Sequence, residues 1–235
     1  FKFHAFPGLD LGYQINNDLK IYGNVGYTYR IPTYTDLFYN DFRTAGNADL
    51  QPEEAFAQEL GIKYNTNKFS ASIAIFNRDA KNLIDYLRPN TTETIYTATN
   101  ITEVNTKGFE FDTSYNFKIK DFNQTFGIGY AFLEDDILDQ NEALSRYSLN
   151  TLKHHFTTRL STQLFKNVSQ NIIYKHAERT TGQSYNVWDA SLIATIKQVE
   201  FTVIASNIFD ADYIETGFTP MPPSNLLFGL RYNFN

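Results

Sequence analysis

The segment LLFGLRYNF, residues 226–234, decides the fold prediction because its side chains alternate between two faces. Leucine and aromatic residues occupy the even positions, whereas the odd positions hold Leu227, Gly229, Arg231 and Asn233. Successive side chains of a strand point to opposite faces of a sheet. With the phase reversed, Arg231 would face lipid at a cost of about 2–4 kcal/mol near the bilayer midplane. The pattern predicts a membrane-spanning strand with its aromatic face outward and Arg231 inward.

The same period of two runs through most of the chain upstream. One face collects aromatic and aliphatic residues, and the other collects charged, amide and glycine residues. A polar interior is typical of a transmembrane barrel and differs from the packed core of a β-sandwich. The charged residues predicted to face this lumen are Glu59, Glu110, Asp112, Arg159, Asp189 and Arg231.

The connections between these segments are of two lengths. Short turns are predicted at 16–18, 65–67, 118–121, 166–167 and 197–198, and long loops at 31–54, 88–93, 134–150, 178–184 and 210–224. Short periplasmic turns and longer extracellular loops are the pattern of bacterial outer-membrane barrels. We therefore expect an all-β, antiparallel up-and-down transmembrane β-barrel with about eleven strands present. Single-chain bacterial barrels have an even number of strands, so residues 1–235 are expected to form the C-terminal portion of a larger barrel.

Composition narrows the function classes. The chain has 235 residues, no cysteine and a formal net charge of −6, with no basic block. These features argue against a disulfide framework, a cysteine nucleophile and a nucleic-acid partner. Aromatic residues make up 16% of the chain, which suits aromatic girdles at two membrane interfaces. No run of 18 apolar residues occurs, so a membrane-spanning helix is not expected.

The long connection at 31–54 offers the best candidates for ligand binding. It combines aromatic faces with charges, as a site for a bulky polar ligand requires. An interface belt or packing within the loop is the alternative explanation for its aromatic residues. The candidates are Tyr34, Asp36, Tyr39, Asp41 and Arg43.

Two other clusters suggest metal or catalytic chemistry only weakly. Residues 134–142 carry five carboxylates that could attract calcium, but the EF-hand spacing is absent and a solvated acidic surface explains them.

His154 and His155 are adjacent, so on a strand they point to opposite faces, with His155 lumenal and His154 on the lipid side or at the interface. Nothing brings His155, Ser161 and Asp189 together as a hydrolase would need. We expect no metal, no cofactor and no enzyme, with a barrel hydrolase and a passive porin as alternatives.

Five motifs occur in a fixed order along the chain: Gly46 to Glu53 (GNADLQPE), Asn82 to Asp85 (NLID), Asn100 followed by Lys107 to Glu110 (KGFE), Asn207 to Asp210 (NIFD), and the closing strand to Phe234. Together they resemble the TonB-dependent outer-membrane receptors. Two departures occur near the end of the chain. Pro222, Pro223 and Ser224 stand where the family usually has Pro-Gly-Arg, and Asn235 follows the terminal aromatic residue.

The resemblance implies a receptor of the Gram-negative outer membrane with a barrel of about 22 strands around a plug domain. It implies active uptake of a large, scarce nutrient. A cobalamin or corrinoid is favoured, and an iron–siderophore complex or haem is the alternative. The implied partners are membrane lipid, the plug, the TonB complex, and the barrel assembly machinery that reads Phe234. The inward charges are then expected to meet the plug. Nothing in residues 1–235 resembles the plug or the TonB box.

Overall fold

A computed structural model describes residues 5–138, 144–146, 151–215 and 219–234. Within them the chain forms thirteen strands and one short helix. The elements are β1 Gly8–Gln14, β2 Leu19–Arg30, α1 Tyr34–Phe38, β3 Thr44–Ala45, β4 Glu53–Asn65, β5 Phe69–Arg88, β6 Tyr96–Ile119, β7 Phe122–Leu138, β8 Leu144–Ser145, β9 Leu152–Phe165, β10 Val168–Arg179, β11 Ser184–Ile196, β12 Val199–Ser206 and β13 Asn225–Tyr232. No helix in these ranges is long and apolar enough to cross a membrane.

The long strands follow one another in the sheet in chain order. The order is β1-β2-β4-β5-β6-β7-β9-β10-β11-β12-β13, which is eleven strands. Registers such as Ile173↔Asp189 and Thr202↔Gly229 are antiparallel. The predicted antiparallel up-and-down sheet of about eleven strands is confirmed. Two short strands lie off this path, because β3 pairs parallel with β6 and β8 pairs antiparallel with β5.

Local turn chemistry explains most of the strand boundaries. The Asn16 carboxamide accepts hydrogen bonds from the backbone N–H groups of Asp18 and Leu19, both at 2.9 Å, and so closes the β1–β2 turn. Lys120 and Lys197 occupy the tight turns after β6 and β11 with positive φ angles of 56° and 57°. Two predicted connections are wrong in detail. β7 continues to Leu138, and the 31–54 connection contains α1 and β3.

The chain forms two compact units. The first comprises Phe1–Ile62, Ala74–Phe109 and Phe132–Lys153, and the second comprises Lys63–Ile73, Glu110–Ala131 and His154–Asn235. In the first unit, one buried cluster is formed by Ala55, Ala80, Ile101 and Val104, with Leu83, Leu87 and Ile137 packed against it. A second cluster is formed by Leu50, Tyr86 and Ala98, with Leu37, Ile84 and Tyr96 packed against it.

The second unit shows the polar face that the alternation predicts. A Cβ atom on Gly129 would lie 2.8 Å from the Thr157 hydroxyl oxygen and 3.3 Å from a carboxylate oxygen of Asp112. Further along the same face, Thr125 donates to the Asn116 carboxamide at 2.7 Å. Glycine therefore leaves room for polar side chains of the neighbouring strands to meet.

The opposite face of the second unit carries a row of aromatic rings. Tyr174 lies between Phe156 and Trp188, with ring centroids 6.2 and 4.8 Å away, and Trp188 also meets Phe209 at 6.3 Å. His154 lies on this aromatic side, where its Nδ1 is 2.8 Å from the Tyr130 hydroxyl. The two faces thus differ in polarity as the sequence period requires.

Candidate functional site

The connection between β2 and β4, residues 31–52, is an ordered structure built around α1. Thr33 caps this helix, because its hydroxyl accepts a hydrogen bond from the Asp36 backbone N–H at 3.2 Å. The Asp36 carboxylate in turn accepts the Thr33 backbone N–H at 2.9 Å and the Thr33 hydroxyl at 2.8 Å. This reciprocal capping box satisfies donors that a helix start otherwise leaves unpaired.

Asp36 is almost fully buried, at 8% exposure. Its carboxylate also accepts hydrogen bonds from the Tyr86 hydroxyl at 3.2 Å and from an Nη of Arg30 at 3.3 Å. Burial raises the pKa of Asp36, but the hydrogen bonds from Thr33 and Tyr86 and the charge of Arg30 outweigh it and hold the pKa below its usual value. Asp36 is therefore ionised at neutral pH and ties α1 to β5.

Arg30, the last residue of β2, joins two carboxylates. Its guanidinium contacts Glu53 with two parallel hydrogen bonds, Nη2 to Oε1 at 2.6 Å and Nε to Oε2 at 2.8 Å, while the other nitrogen reaches Asp36. Glu53 also accepts the backbone N–H of Ile84 in β5 at 2.7 Å. Such bidentate pairs are the stronger and more directional kind of ion pair. Arg30 and Glu53 together connect three strands and the helix.

The motif at 46–53 anchors the far end of the connection. A Cβ atom on Gly46 would lie 2.8 Å from the backbone of Leu37 and Phe38, so only glycine fits there. The Asn47 carboxamide donates to the Ala98 carbonyl of β6 at 3.2 Å. The Asn100 carboxamide accepts the Gln51 N–H at 2.8 Å and donates to the Gln51 carbonyl at 2.9 Å. The residues that carry the family resemblance therefore hold the loop in place.

The structure separates the five predicted ligand residues into two groups. Asp36 is buried within the network above, whereas Tyr34 is 78% exposed and Tyr39 is 47% exposed. The Tyr39 hydroxyl donates to Asp41 at 3.1 Å, and Asp41 accepts the backbone N–H of Arg43 at 2.7 Å. Phe42, which was not predicted, is also 78% exposed, and the Arg43 guanidinium lies 5.3 Å from its ring centroid. With Phe38, which is 52% exposed, the connection thus presents four aromatic rings beside charges.

The predicted lumenal residues occupy varied surroundings. Arg159 lies beside Gly127, Asp189 accepts the Asn207 N–H at 2.8 Å, and Arg231 pairs with Glu200 at 3.5 Å. Glu110 is exposed. Glu59 lines a groove of about 300 Å³ in the first unit. Phe234, the predicted assembly signal, is 90% exposed. Their contacts with a plug or with assembly machinery stay predictions.

One polar cluster of the second unit was missed from the sequence. Lys175 pairs with Glu215 at 2.8 Å, and the Tyr185 hydroxyl donates to the same carboxylate oxygen at 3.4 Å. The hydrogen bond from Lys175 and its charge lower the pKa of Glu215 against the effect of burial. The rings of Tyr185 and Tyr213 are in contact, with centroids 4.6 Å apart and planes tilted by 33°, and line an open cavity of about 490 Å³. No sequence signal places Glu215, because it lies in a long loop forty residues beyond Lys175.

The acidic segment at 134–142 is only partly within the described residues, because Asp139 and Glu142 lie outside them. Asp135 accepts the hydroxyl of Thr106 at 2.6 Å and that of Thr151, and Glu134 pairs with Lys107 at 3.2 Å. Across the described ranges, no group of three or more metal-ligating side chains is close enough to hold a metal ion. The calcium prediction gains no support from these residues.

Residues 2–234 match the family model described as TonB-dependent receptor-like, β-barrel. The chain belongs to this family. Its proteins are transporters of the Gram-negative outer membrane and not enzymes, so membership places the chain in that membrane and removes the hydrolase alternative.

Among curated proteins, the chain is similar to the vitamin B12 transporter BtuB of Photobacterium profundum. The two are 23% identical over 215 residues, which is 88% of this chain and 34% of that protein.

Among solved structures, it is similar to the copper transporter OprC (TM-score 0.73, 17% identity) and the siderophore receptor PirA from Acinetobacter baumannii (TM-score 0.71, 18% identity). Each match covers 97% of this chain, but only 39% of OprC and 41% of PirA. The chain therefore spans about a third to two fifths of the length of these receptors. At such identities the solved structures support the fold alone.

Proposed function

We propose that this TonB-dependent receptor chain takes part in active uptake of a large, scarce nutrient, and that the 31–52 connection captures the ligand. One observation carries the proposal. The connection is fixed by the Arg30–Asp36–Glu53 network and by the 46–53 motif, while Tyr34, Tyr39 and Phe42 stay exposed. Rigid aromatic side chains bind at a low entropic cost, because they lose little freedom on contact.

The inward charges have a second role in this proposal. Arg159, Asp189 and Arg231 lie on the polar side of the alternation, where they would meet a plug domain through hydrogen bonds or ion pairs. Force that the TonB complex exerts on the plug would then open a path for the captured ligand. Phe234, which follows the closing strand, would be read by the barrel assembly machinery, and the aromatic face would meet membrane lipid.

A cobalamin or corrinoid is the first candidate ligand. Its support is the similarity over most of the chain to a protein named as a vitamin B12 transporter. An iron–siderophore complex or haem is the second candidate, supported by the fold shared with a siderophore receptor and by the charged side chains beside the exposed rings.

The substrate proposal is tested by growth of cells that depend on the full-length receptor. With a corrinoid as the limiting nutrient, loss of the receptor is expected to stop growth, whereas growth on limiting iron chelate continues. The reverse dependence would replace the first candidate by the second. Receptor-independent growth on both nutrients would refute the uptake proposal.

A further inference from the structure

An apolar groove crosses three strands of the first unit. It has a volume of about 300 Å³ and is lined from β2, β4 and β5. Its exposed apolar residues are Val25 at 40%, Leu60 at 54% and Ile75 at 58% exposure. Gln58 and Asn77 line the same groove. The groove therefore joins an apolar floor to two carboxamide side chains.

Strand phase places the exposed side of this groove toward lipid. Leu60 follows Glu59 in β4 and so points away from the predicted lumen. Val25 shares a strand face with Tyr27, whose ring lies 4.7 Å between centroids from Phe56, on the Leu60 face of β4. The groove is thus continuous with the membrane-facing surface of an outer-membrane barrel.

Carboxamides replace apolar side chains on this face directly beyond the groove. Asn77 is the next residue on the face of Ile75 in β5, and its carboxamide donates to Asp79 at 3.0 Å. From β6, the Asn105 carboxamide donates to Asn77 at 3.0 Å and also to Asp79. Gln58, which is exposed, adds a carboxamide from β4. Three strands thus supply an amide row, Gln58, Asn77 and Asn105, along one edge of the groove.

The change from apolar to polar side chains marks a level in the membrane. It repeats on β6 and β7, where Lys107 pairs with Glu134 at 3.2 Å and the next residues on that face, Phe109 and Phe132, have ring centroids 5.9 Å apart. The polar residues lie on the side of the long connections, which are extracellular in bacterial barrels. Polar groups are costly in hydrocarbon, so the amide row lies at the level of the outer-leaflet headgroups.

Charge beside the amide row favours a headgroup that is bound by hydrogen bonds and not by its phosphates. Asp79 and Glu134 contribute two negative charges and Lys107 contributes one positive charge, which gives a net charge of −1. Carboxamides both donate and accept hydrogen bonds, as the hydroxyl and amide groups of an N-acylated sugar do.

We infer that the groove and the amide row bind one glycolipid of the outer leaflet. An acyl chain lies in the groove against Leu60 and Ile75, and the sugar headgroup exchanges hydrogen bonds with Gln58, Asn77 and Asn105. The inference rests on the membrane location of the chain and not on the uptake proposal.

The site is tested by native mass spectrometry of the purified full-length receptor in detergent. Wild-type receptor is expected to bind lipid A, an acylated glucosamine disaccharide, saturably and about tenfold more tightly than phosphatidylethanolamine, because the sugar makes more hydrogen bonds. Removal of the lipid A phosphates should change the affinity by no more than about twofold. Equal affinity for lipid A and phosphatidylethanolamine, or loss of binding with the phosphates, would overturn the inference.

Gln58→Leu and Asn77→Leu test the amide row. Each is expected to weaken lipid A binding about fivefold and to leave phosphatidylethanolamine binding unchanged, which also reports an intact fold. Leucine is tolerated on a lipid-facing strand position, so the barrel keeps its structure. Wild-type affinity for lipid A in both variants would contradict the role of the row.

Gln170→Leu is the matched control. Gln170 is a carboxamide of β10 in register with Leu192, and it lines a second groove of about 280 Å³. It lies just beyond the short turn at 166–167, and short turns are periplasmic, so it is far from the outer leaflet. Lipid A binding should stay within about twofold of wild type. A fall equal to that of Gln58→Leu would mean unspecific contact and would overturn the site.

Ile75→Trp tests the place of the acyl chain. The larger side chain fills the groove and is expected to weaken lipid A binding about tenfold, which is equivalent to about two CH₂ groups left unburied. Wild-type affinity in this variant would contradict an acyl chain in the groove.

Discussion

Arg30 is the residue on which the order of the 31–52 connection depends. Its guanidinium is partly exposed, but the carboxylates of Glu53 and Asp36 that it joins are largely buried. Removing the cation leaves two negative charges close together with fewer donors. An unpaired buried group costs more free energy than an average hydrogen bond contributes. We expect the loss of stability in the 31–52 connection and not in the sheet, because loops open locally at a lower free energy than core strands.

Arg30→Gln is therefore expected to loosen residues 31–52 while the strands stay folded. Hydrogen exchange in the full-length receptor should show faster exchange at the amides of α1, by about tenfold or more. Lys20→Gln, at an exposed position of β2, is the matched control and leaves exchange unchanged. Equal protection of α1 in both variants would contradict the proposed role of Arg30.

Gly46 is a second residue on which the conformation of the 31–52 connection depends. Gly46→Ala places a methyl group 2.8 Å from the backbone of α1, which cannot yield as a flexible side chain can. We expect the 31–52 connection to become sensitive to protease. Gly8→Ala, whose Cβ would meet its nearest neighbour at 3.8 Å, keeps wild-type resistance. Matching cleavage rates would show that the close approach at Gly46 is unimportant.

At the scale of the element, the stability of α1 depends on pH through Asp36. The folded pKa of Asp36 is lowered from its ordinary value of 3.8, so its ionised form favours the folded loop. That stabilisation is complete above the ordinary pKa and is lost as the pH falls through the lowered one. Protease sensitivity of 31–52 is expected to rise below about pH 4.

Asp36→Asn separates this effect from general acid damage. The amide cannot ionise, so the variant should be protease-sensitive already at neutral pH and change little on acidification. If Asp36→Asn and wild type showed the same acid profile, another group would control the loop.

The assignment of one strand face to lipid and the other to the lumen can be tested in β11. Leu192 lies on the same face as Trp188, whereas Ser191 lies opposite, next to the Asn171 carboxamide at 3.2 Å. Leu192→Arg should lower the unfolding free energy of the full-length receptor in lipid bilayers by about 2–4 kcal/mol, and Ser191→Arg by much less. A larger loss at Ser191 would reverse the assignment of the two faces.

The alternation of side chains along the sequence predicted most of the strands. The features that it missed depend on contacts between residues far apart in the chain. β2 begins and ends where its alternation does, at Leu19 and Arg30, because turn residues flank it. The pairing of β8 with β5 joins residues almost sixty positions apart, and no local signal specifies it. The Lys175–Glu215 pair was missed for the same reason. The hydrogen bonds between Thr33 and Asp36 were foreseeable, because these residues have the spacing of a capping box, but the burial of Asp36 was not.

At the scale of the whole molecule, the chain corresponds in length to only part of the receptors that it resembles. Each structural match covers 97% of this chain but only about two fifths of the matched receptor. Eleven strands follow one another in the described sheet, compared with about 22 in barrels of outer-membrane transporters. In the proposed mechanism, residues 1–235 supply the side chains that capture the ligand and the inward charges that contact the plug, and the plug closes the path.

The central claim is that the receptor works by TonB-driven uptake. The most direct measurement is accumulation of radiolabelled cyanocobalamin and of a radiolabelled ferric chelate in cells producing the full-length receptor, with and without a functional TonB complex. The account predicts that accumulation of one ligand requires both the receptor and TonB, while surface binding survives the loss of TonB. Receptor-dependent accumulation that is equal in both strains would mean passive passage and would contradict the account.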